Sequence, residues 1–100
     1  EELVLLAVCS LQDHAYGNAI KDEIERCADR KLNLSAIHAS LYRLEEKGFL
    51  RSEKGEPTQE RGGKRKKYFF ITPFGVHALK AAEAVRQELR STIPQITWQL

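Results

Sequence analysis

Apolar residues recur with helical spacing at both ends of the chain and with strand-like spacing between them. Leu3, Val4, Leu5, Leu6, Ala7, Val8 and Leu11 are apolar almost all round a helical wheel. They predict a first helix over about Glu2–Leu11 that is buried on every side, part of that burial coming from a second subunit in so small a protein. Asp13–His14 reads as a break. Tyr16, Ile20, Ile24 and Cys27 fall at i, i+4, i+8 and i+11 and predict a second helix over about Tyr16–Ala28, with Lys21, Asp22, Glu25 and Arg26 on its other face. Gly17 near its start either frays that end or permits close packing. A third helix starts at Asn33 or Ser35, both good N-caps, and stops at Gly48 after Lys47. It buries Leu34, Ile37, Leu41 and Leu44. Its opposite face carries Ser35, Ala36, Ala39, Tyr42, Arg43 and Glu46, with His38 on the flank.

Two segments then switch to strand-like content. Phe49–Lys54 and Lys66–Ile71 flank Gly55–Glu56–Pro57 and Gly62–Gly63 and predict a hairpin with a long polar tip. In the second strand Phe69 and Ile71 share one face, Tyr68 and Phe70 the other. Thr72 is placed to cap a fourth helix and Pro73 to occupy its first turn, where a missing N–H costs nothing. Phe74, Ala78, Ala81, Val85 and Leu89 form its apolar stripe, and Pro94 ends it or begins an apolar tail of Ile93, Ile96, Trp98 and Leu100. The order helix, helix, helix, strand, strand, helix is the layout of a winged helix-turn-helix: a mainly α fold with a small β-hairpin.

Composition narrows the class. One hundred residues make one compact domain with a modest core, one that a partner subunit would stabilise. A hydrophobic content of 42% is too high for a disordered chain. The longest apolar run, Leu3–Cys9, is a core-helix length, and it follows two glutamates rather than a basic stretch, so it is neither a membrane span nor a signal peptide. The absence of Met suggests that a few residues precede Glu1. Two cysteines make no disulfide framework and fit a reducing, cytoplasmic setting, and Cys9 and Cys27 are expected to be inert core residues.

The net charge of +2 conceals a segregation. Residues 1–34 carry four basic and seven acidic groups, whereas residues 35–72 carry nine basic and five acidic. Five of the seven residues from Arg61 to Lys67 are basic: Arg61, Lys64, Arg65, Lys66 and Lys67. Such a cluster attracts polyanions even on a chain near neutrality. Beside a helix that is polar on one face, it is expected to contact DNA phosphates; alone it would equally be a solvated strand edge guarded by charge. On the third helix Arg43 is the candidate for a phosphate or guanine contact, against the alternative of an ion pair with Glu46. Ser35, His38 and Tyr42 are candidate donors, and Ala36 and Ala39 would allow close approach and contact with thymine methyls. Glu45 and Glu46 are expected to face protein or solvent. His14, His38, His77 and the cysteines lack zinc-site spacing, and neither a catalytic motif nor a nucleotide loop occurs, so no metal, cofactor or enzyme activity is expected.

Asn33-Leu34-Ser35-Ala36-Ile37-His38-Ala39-Ser40-Leu41-Tyr42-Arg43-Leu44-Glu45-Glu46-Lys47-Gly48-Phe49-Leu50 resembles the recognition-helix signature of PadR-like transcriptional regulators. Glu60 to Gly75, with its RGG, basic run, aromatics and Thr72, resembles the family's wing, and Ala15 to Ile20 its entry into the second helix. The resemblance covers about residues 3–90. The sequence departs from the pattern at Ser35, where the family has glycine, at His38, where it has tyrosine, and at Ala39. These positions lie on the expected DNA-facing side, so they put the operator in doubt rather than the fold.

The resemblance implies a DNA-binding region over 1–72 and a C-terminal dimerisation helix and tail over 73–100. It further implies a homodimer that packs this helix across a two-fold axis against the partner's first helix. Such a dimer presents two copies of helix 33–47 to successive major grooves, with the 49–71 wing on the backbone. The expected function is sequence-specific binding of double-stranded DNA as a transcriptional regulator, a repressor, with an unidentified small-molecule effector near Trp98 as a further partner. The alternative is a winged-helix protein-interaction module without DNA binding, which the acidic residues interspersed in the basic segment leave open.

Overall fold

The computed structural model describes residues 1–57 and 65–100, with backbone only at 56, 57 and 65. Its elements run α1 (Glu2–Leu11), a short 3-10 turn (Gln12–His14), α2 (Gly17–Ala28), α3 (Leu34–Glu46), β1 (Leu50–Pro57), β2 (Arg65–Ile71), α4 (Pro73–Ser91) and a final 3-10 turn (Gln95–Gln99). This is the mainly α arrangement with a hairpin that the hydrophobic pattern predicts.

Each boundary has a local cause. Asn33 caps α3, its side-chain oxygen accepting from the Ser35 N–H at 2.7 Å, so the helix starts at the earlier of the two candidate positions. Gly48 follows it with φ +81°, a left-handed conformation that glycine takes without cost. Thr72 caps α4 by accepting from the Gly75 N–H at 3.0 Å, and its hydroxyl donates to the Gly48 carbonyl at 2.6 Å. One hydroxyl thus starts α4 and ties that start to the end of α3. Gly75 sits so close to the β1 entry that a Cβ would lie 2.3 Å from the Phe49 carbonyl oxygen.

β1 and β2 pair antiparallel from Leu50↔Ile71 to Lys54↔Lys67, with an irregularity before Pro57↔Arg65. Gly55–Glu56–Pro57, expected as part of the turn, instead continues β1, the register shifting by one residue between Lys54 and Pro57. The tip, with the expected turn glycines Gly62 and Gly63, lies outside the described residues.

The core is assembled from three helices and the hairpin root: Val4, Leu5 and Val8 of α1, Ile20 and Ile24 of α2, Ile37, Leu41 and Leu44 of α3, and Leu50 and Phe69 of the strands. Within one chain α1 is buried on one side. Its inner face is covered, but Leu3 and Leu6 are exposed, because the three-helix body packs against one side of it only. The cysteine expectation fails. Cys9 and Cys27 are both exposed, since α1 turns its Val4–Val8 side and α2 its Ile20–Ile24 side to the core; partial cover still raises the Cys9 thiol's pKa. Among the described residues no helix is long and apolar enough to cross a membrane.

α4 splits the same way. Its base meets the body through Gly75 and half-buried Ala78, Leu79 and Ala82. Phe74, Ala81, Val85 and Leu89, four of the five residues of its apolar stripe, are exposed. From Glu83 to Leu100 every residue is exposed. A 19-residue helix is about 28 Å long, and the chain measures 56 × 29 × 20 Å, which fits an arm leaving a smaller body.

Candidate nucleic-acid interface

α3 is presented outward by a tight junction with α2. The chain leaves α2 through Asp29 in the left-handed region, φ 54°, a conformation that Asp tolerates better than most residues. The Glu25 carboxylate closes the turn by accepting from the Leu32 N–H at 2.6 Å and pairing with Lys21 at 3.1 Å. The Leu32 hydrogen bond, and then Lys21, hold its pKa below the ordinary carboxylate range. Nothing in the sequence pattern singles out Glu25 for this; it reads there as one more charge on a solvated face. The signal was present only as an acid seven residues before a backbone N–H that no helix satisfies.

At the opposite end of α2, Gly17 permits close packing rather than fraying. A Cβ there would lie 2.7 Å from the His38 ring. His38 is therefore exposed but lies along the α2–α3 seam, the flank predicted for it, and not at the centre of the outward face. That centre is held by Ser35, Ala39 and Tyr42, with Ala36 and Arg43 beside them, all exposed. Tyr42 is 64% exposed, a large ring with its body in solvent.

Arg43 does not pair with Glu46. Its Nε donates to Glu1 at 2.7 Å and one terminal nitrogen to Ser40 Oγ at 3.2 Å, while Lys47 Nζ reaches the other Glu1 oxygen at 2.7 Å. Lys47 and Arg43 together lower the Glu1 pKa to about 2 from an ordinary 4.5. Sequence reasoning missed this clamp because its partners are more than 40 positions apart.

The wing root stands beside α3. Glu45 accepts from Ser52 Oγ of β1 at 2.5 Å and faces Lys67 Nζ of β2 at 3.6 Å, so it faces the protein, one of the two settings expected for it. Lys66 lies over the Tyr16 ring, its ammonium 4.1 Å from the centroid. Of the predicted basic cluster, Lys67 is thus brought to the flank of α3 and Lys66 to the start of α2. Arg61 and Lys64 lie outside the described residues, and Arg65 is described only as backbone in β2.

The arrangement is a rigid helix face of small and polar side chains about one side of which cations gather from α3 and the wing. Such a surface suits a polyanion with grooves: cations meet phosphates, and Ala36 and Ala39 let the backbone approach base edges. Among the described residues no three or more metal-ligating side chains gather.

A model of the transcriptional regulator PadR-like family matches residues 5–81. Solved structures agree in fold. A PadR family transcriptional regulator from Eggerthella lenta is 28% identical, the alignment covering 89% of this chain and 75% of that one, at a TM-score of 0.70. A PadR-like transcription factor from Bacteroides fragilis is 27% identical over 87% and 84%, TM-score 0.71. A PadR family transcription regulator from Clostridium difficile, at 22% identity, covers 97% and 99% with a TM-score of 0.71. No curated protein matches the sequence.

Proposed function

Since the chain belongs to the PadR-like family of transcriptional regulators, we propose that it binds double-stranded DNA sequence-specifically as a homodimer and represses transcription. α3 enters the major groove and the hairpin lies on the backbone. Residues 1–72 form the reading head and residues 73–100 the dimerisation arm. The observation that carries this reading is the outward face of α3: Ser35, Ala36, Ala39, Tyr42 and Arg43 are all exposed, with Lys67 at the flank of α3 and Lys66 at the start of α2. Arg43 supplies the base or phosphate contact, with His38 at the edge of the footprint; Arg61, Lys64 and Arg65 extend it along the wing. The homodimer is supported by the apolar surface a single chain leaves open, Leu3 and Leu6 on α1 and Val85 and Leu89 on α4. Trp98, exposed on the tail, is the residue at which an apolar effector would be sought, by quenching of its fluorescence.

The test is fluorescence anisotropy on a random-sequence duplex at two salt concentrations. Affinity falls with salt at a slope of about −0.9 per phosphate neutralised. Lys66→Ala with Lys67→Ala weakens binding on all sequences and flattens that slope, whereas Arg43→Ala relaxes sequence preference instead. Absence of binding at low salt would leave a winged-helix protein-interaction module as the function.

A further inference from the structure

The most closely knit group of side chains near the wing lies where β2 meets the entry to α2. Tyr16 is the extended N-cap of α2, and it forms an isolated antiparallel bridge with Tyr68. The Phe69 N–H donates to the Ala15 carbonyl at 2.8 Å. β2 is therefore paired on both edges, with β1 on one and Ala15–Tyr16 on the other. Directly opposed residues in such a ladder put their side chains together on one face. The Tyr16 and Tyr68 rings accordingly meet edge to face, their centroids 5.7 Å apart at 70°. Lys66 stands two residues before Tyr68 on the same face, and its ammonium is held 4.1 Å from the centre of the Tyr16 ring. Tyr68 is backed in turn by Gly55 of β1, where a Cβ would lie 2.6 Å from the ring. Gly55, Tyr68, Tyr16 and Lys66 form one packed row that joins the wing to α2, the helix on which α3 rests.

We infer that Tyr16 is a positioning residue for the wing: its ring holds the Lys66 ammonium in place, so that duplex affinity depends on Tyr16 through Lys66. This rests on the DNA-binding reading given above. A lysine ammonium on a free four-carbon stem loses much rotamer freedom when it meets a phosphate. The negative face of an aromatic ring restrains it beforehand without consuming its N–H donors, so less ordering is left to be done on binding. The bridge to Tyr68 fixes the ring to the strand that carries the lysine, and the start of α2 fixes it to the helix pair that carries the reading face.

The experiment is a double-mutant cycle read by anisotropy on a random-sequence duplex at low salt, with Tyr16→Leu, Lys66→Gln and the double variant. Tyr16→Leu is expected to weaken binding by about three- to tenfold, the cost of ordering one long side chain on binding. The double variant is expected to bind no more weakly than Lys66→Gln alone. Tyr16→Phe keeps the ring face and retains most of the affinity. In the free protein, the Lys66 ε-methylene protons resonate upfield under the Tyr16 ring and return to ordinary positions in Tyr16→Leu. Additive losses in the double variant overturn the positioning role, as does a Tyr16→Phe variant as weak as Tyr16→Leu, which would make the hydroxyl a direct contact. Ordinary Lys66 shifts in the wild type overturn it even if Tyr16→Leu fails to fold. A wild type that binds no duplex overturns the inference and the DNA-binding reading together, whereas a binding wild type with additive losses removes the inference alone.

Discussion

The three-helix body and the α4 arm handle apolar side chains in opposite ways. In the body Ile20 is fully buried and Leu41 is 1% exposed, whereas on the arm Leu89 is 63% exposed and Ile96 69%. The body closes its core within one chain because α1, α2 and α3 each turn a single stripe to a common centre and the hairpin root plugs the end. The arm has its base against that body and, beyond Ala82, an ion pair from Arg86 to Glu2 of α1; every residue from Glu83 onward is exposed. A single chain thus closes its three-helix core and leaves the arm's apolar side chains open, which is the surface the proposed homodimer would cover.

Several measurements would break or sharpen this contrast. The largest effect is expected in the body: Leu41→Ala opens a cavity among fixed helices and should cost about 2–5 kcal/mol in denaturant melting. Leu89→Ala, measured at dilutions where chains are separate, should change stability by less than about 0.5 kcal/mol. Equal costs would erase the distinction between the regions. Gly75→Ala probes the joint between them. Its Cβ would collide with the Phe49 carbonyl, and a cost of about 1–3 kcal/mol is expected, as for other overpacked sites; a neutral result would mean that α4 is free to pivot. Charge placed on the arm, as Val85→Asp with Leu89→Asp, should leave the body folded by circular dichroism but weaken self-association in sedimentation at least about tenfold, or 1.4 kcal/mol. An unchanged dimer would move the interface elsewhere.

The smallest effect concerns the Glu1 clamp on Arg43 and Lys47. Because the folded state depresses this carboxyl's pKa, its contribution is complete above the ordinary value of 4.5 and is lost as pH falls toward about 2. The difference in melting temperature between wild type and Glu1→Gln should therefore be constant at neutral pH and shrink through that acid window. A difference that grows on acidification would contradict the assignment.

Much of the fold was legible because its signals are local. Asn33, Gly48, Thr72 and Pro73 act within a few residues of themselves, and the stripes Ile20–Ile24 and Ile37–Leu41–Leu44 repeat at the helical period, so both boundaries and core faces could be read directly. The reading failed where burial depends on what stands opposite. Cys9 sits in an apolar run and Cys27 at the end of an apolar helical stripe, yet both are exposed. The Phe74–Val85–Leu89 stripe has helical spacing throughout, yet only Phe74, against Phe49, meets the body, and Val85 and Leu89 are exposed. Gly55 and Pro57 look like a turn, but pairing with β2 carries the strand through them.

The candidate site divides along the same line. Which residues lie on the outward face of α3 follows from 3.6 residues per turn and from the aliphatic stripe that must be buried, so Ser35, Ala39 and Tyr42 were determined by the sequence alone. The tertiary structure decided what the cations do. Arg43 is held by Glu1, Lys67 by Glu45, and Lys66 by the ring of Tyr16. These partners lie 22 to 50 positions away along the chain, and the same long-range packing set His38 against Gly17. Helical periodicity assigns a side chain to a face, but a charge finds its partner through space, and that distance exists only once the core has brought α1, α2 and the hairpin around α3.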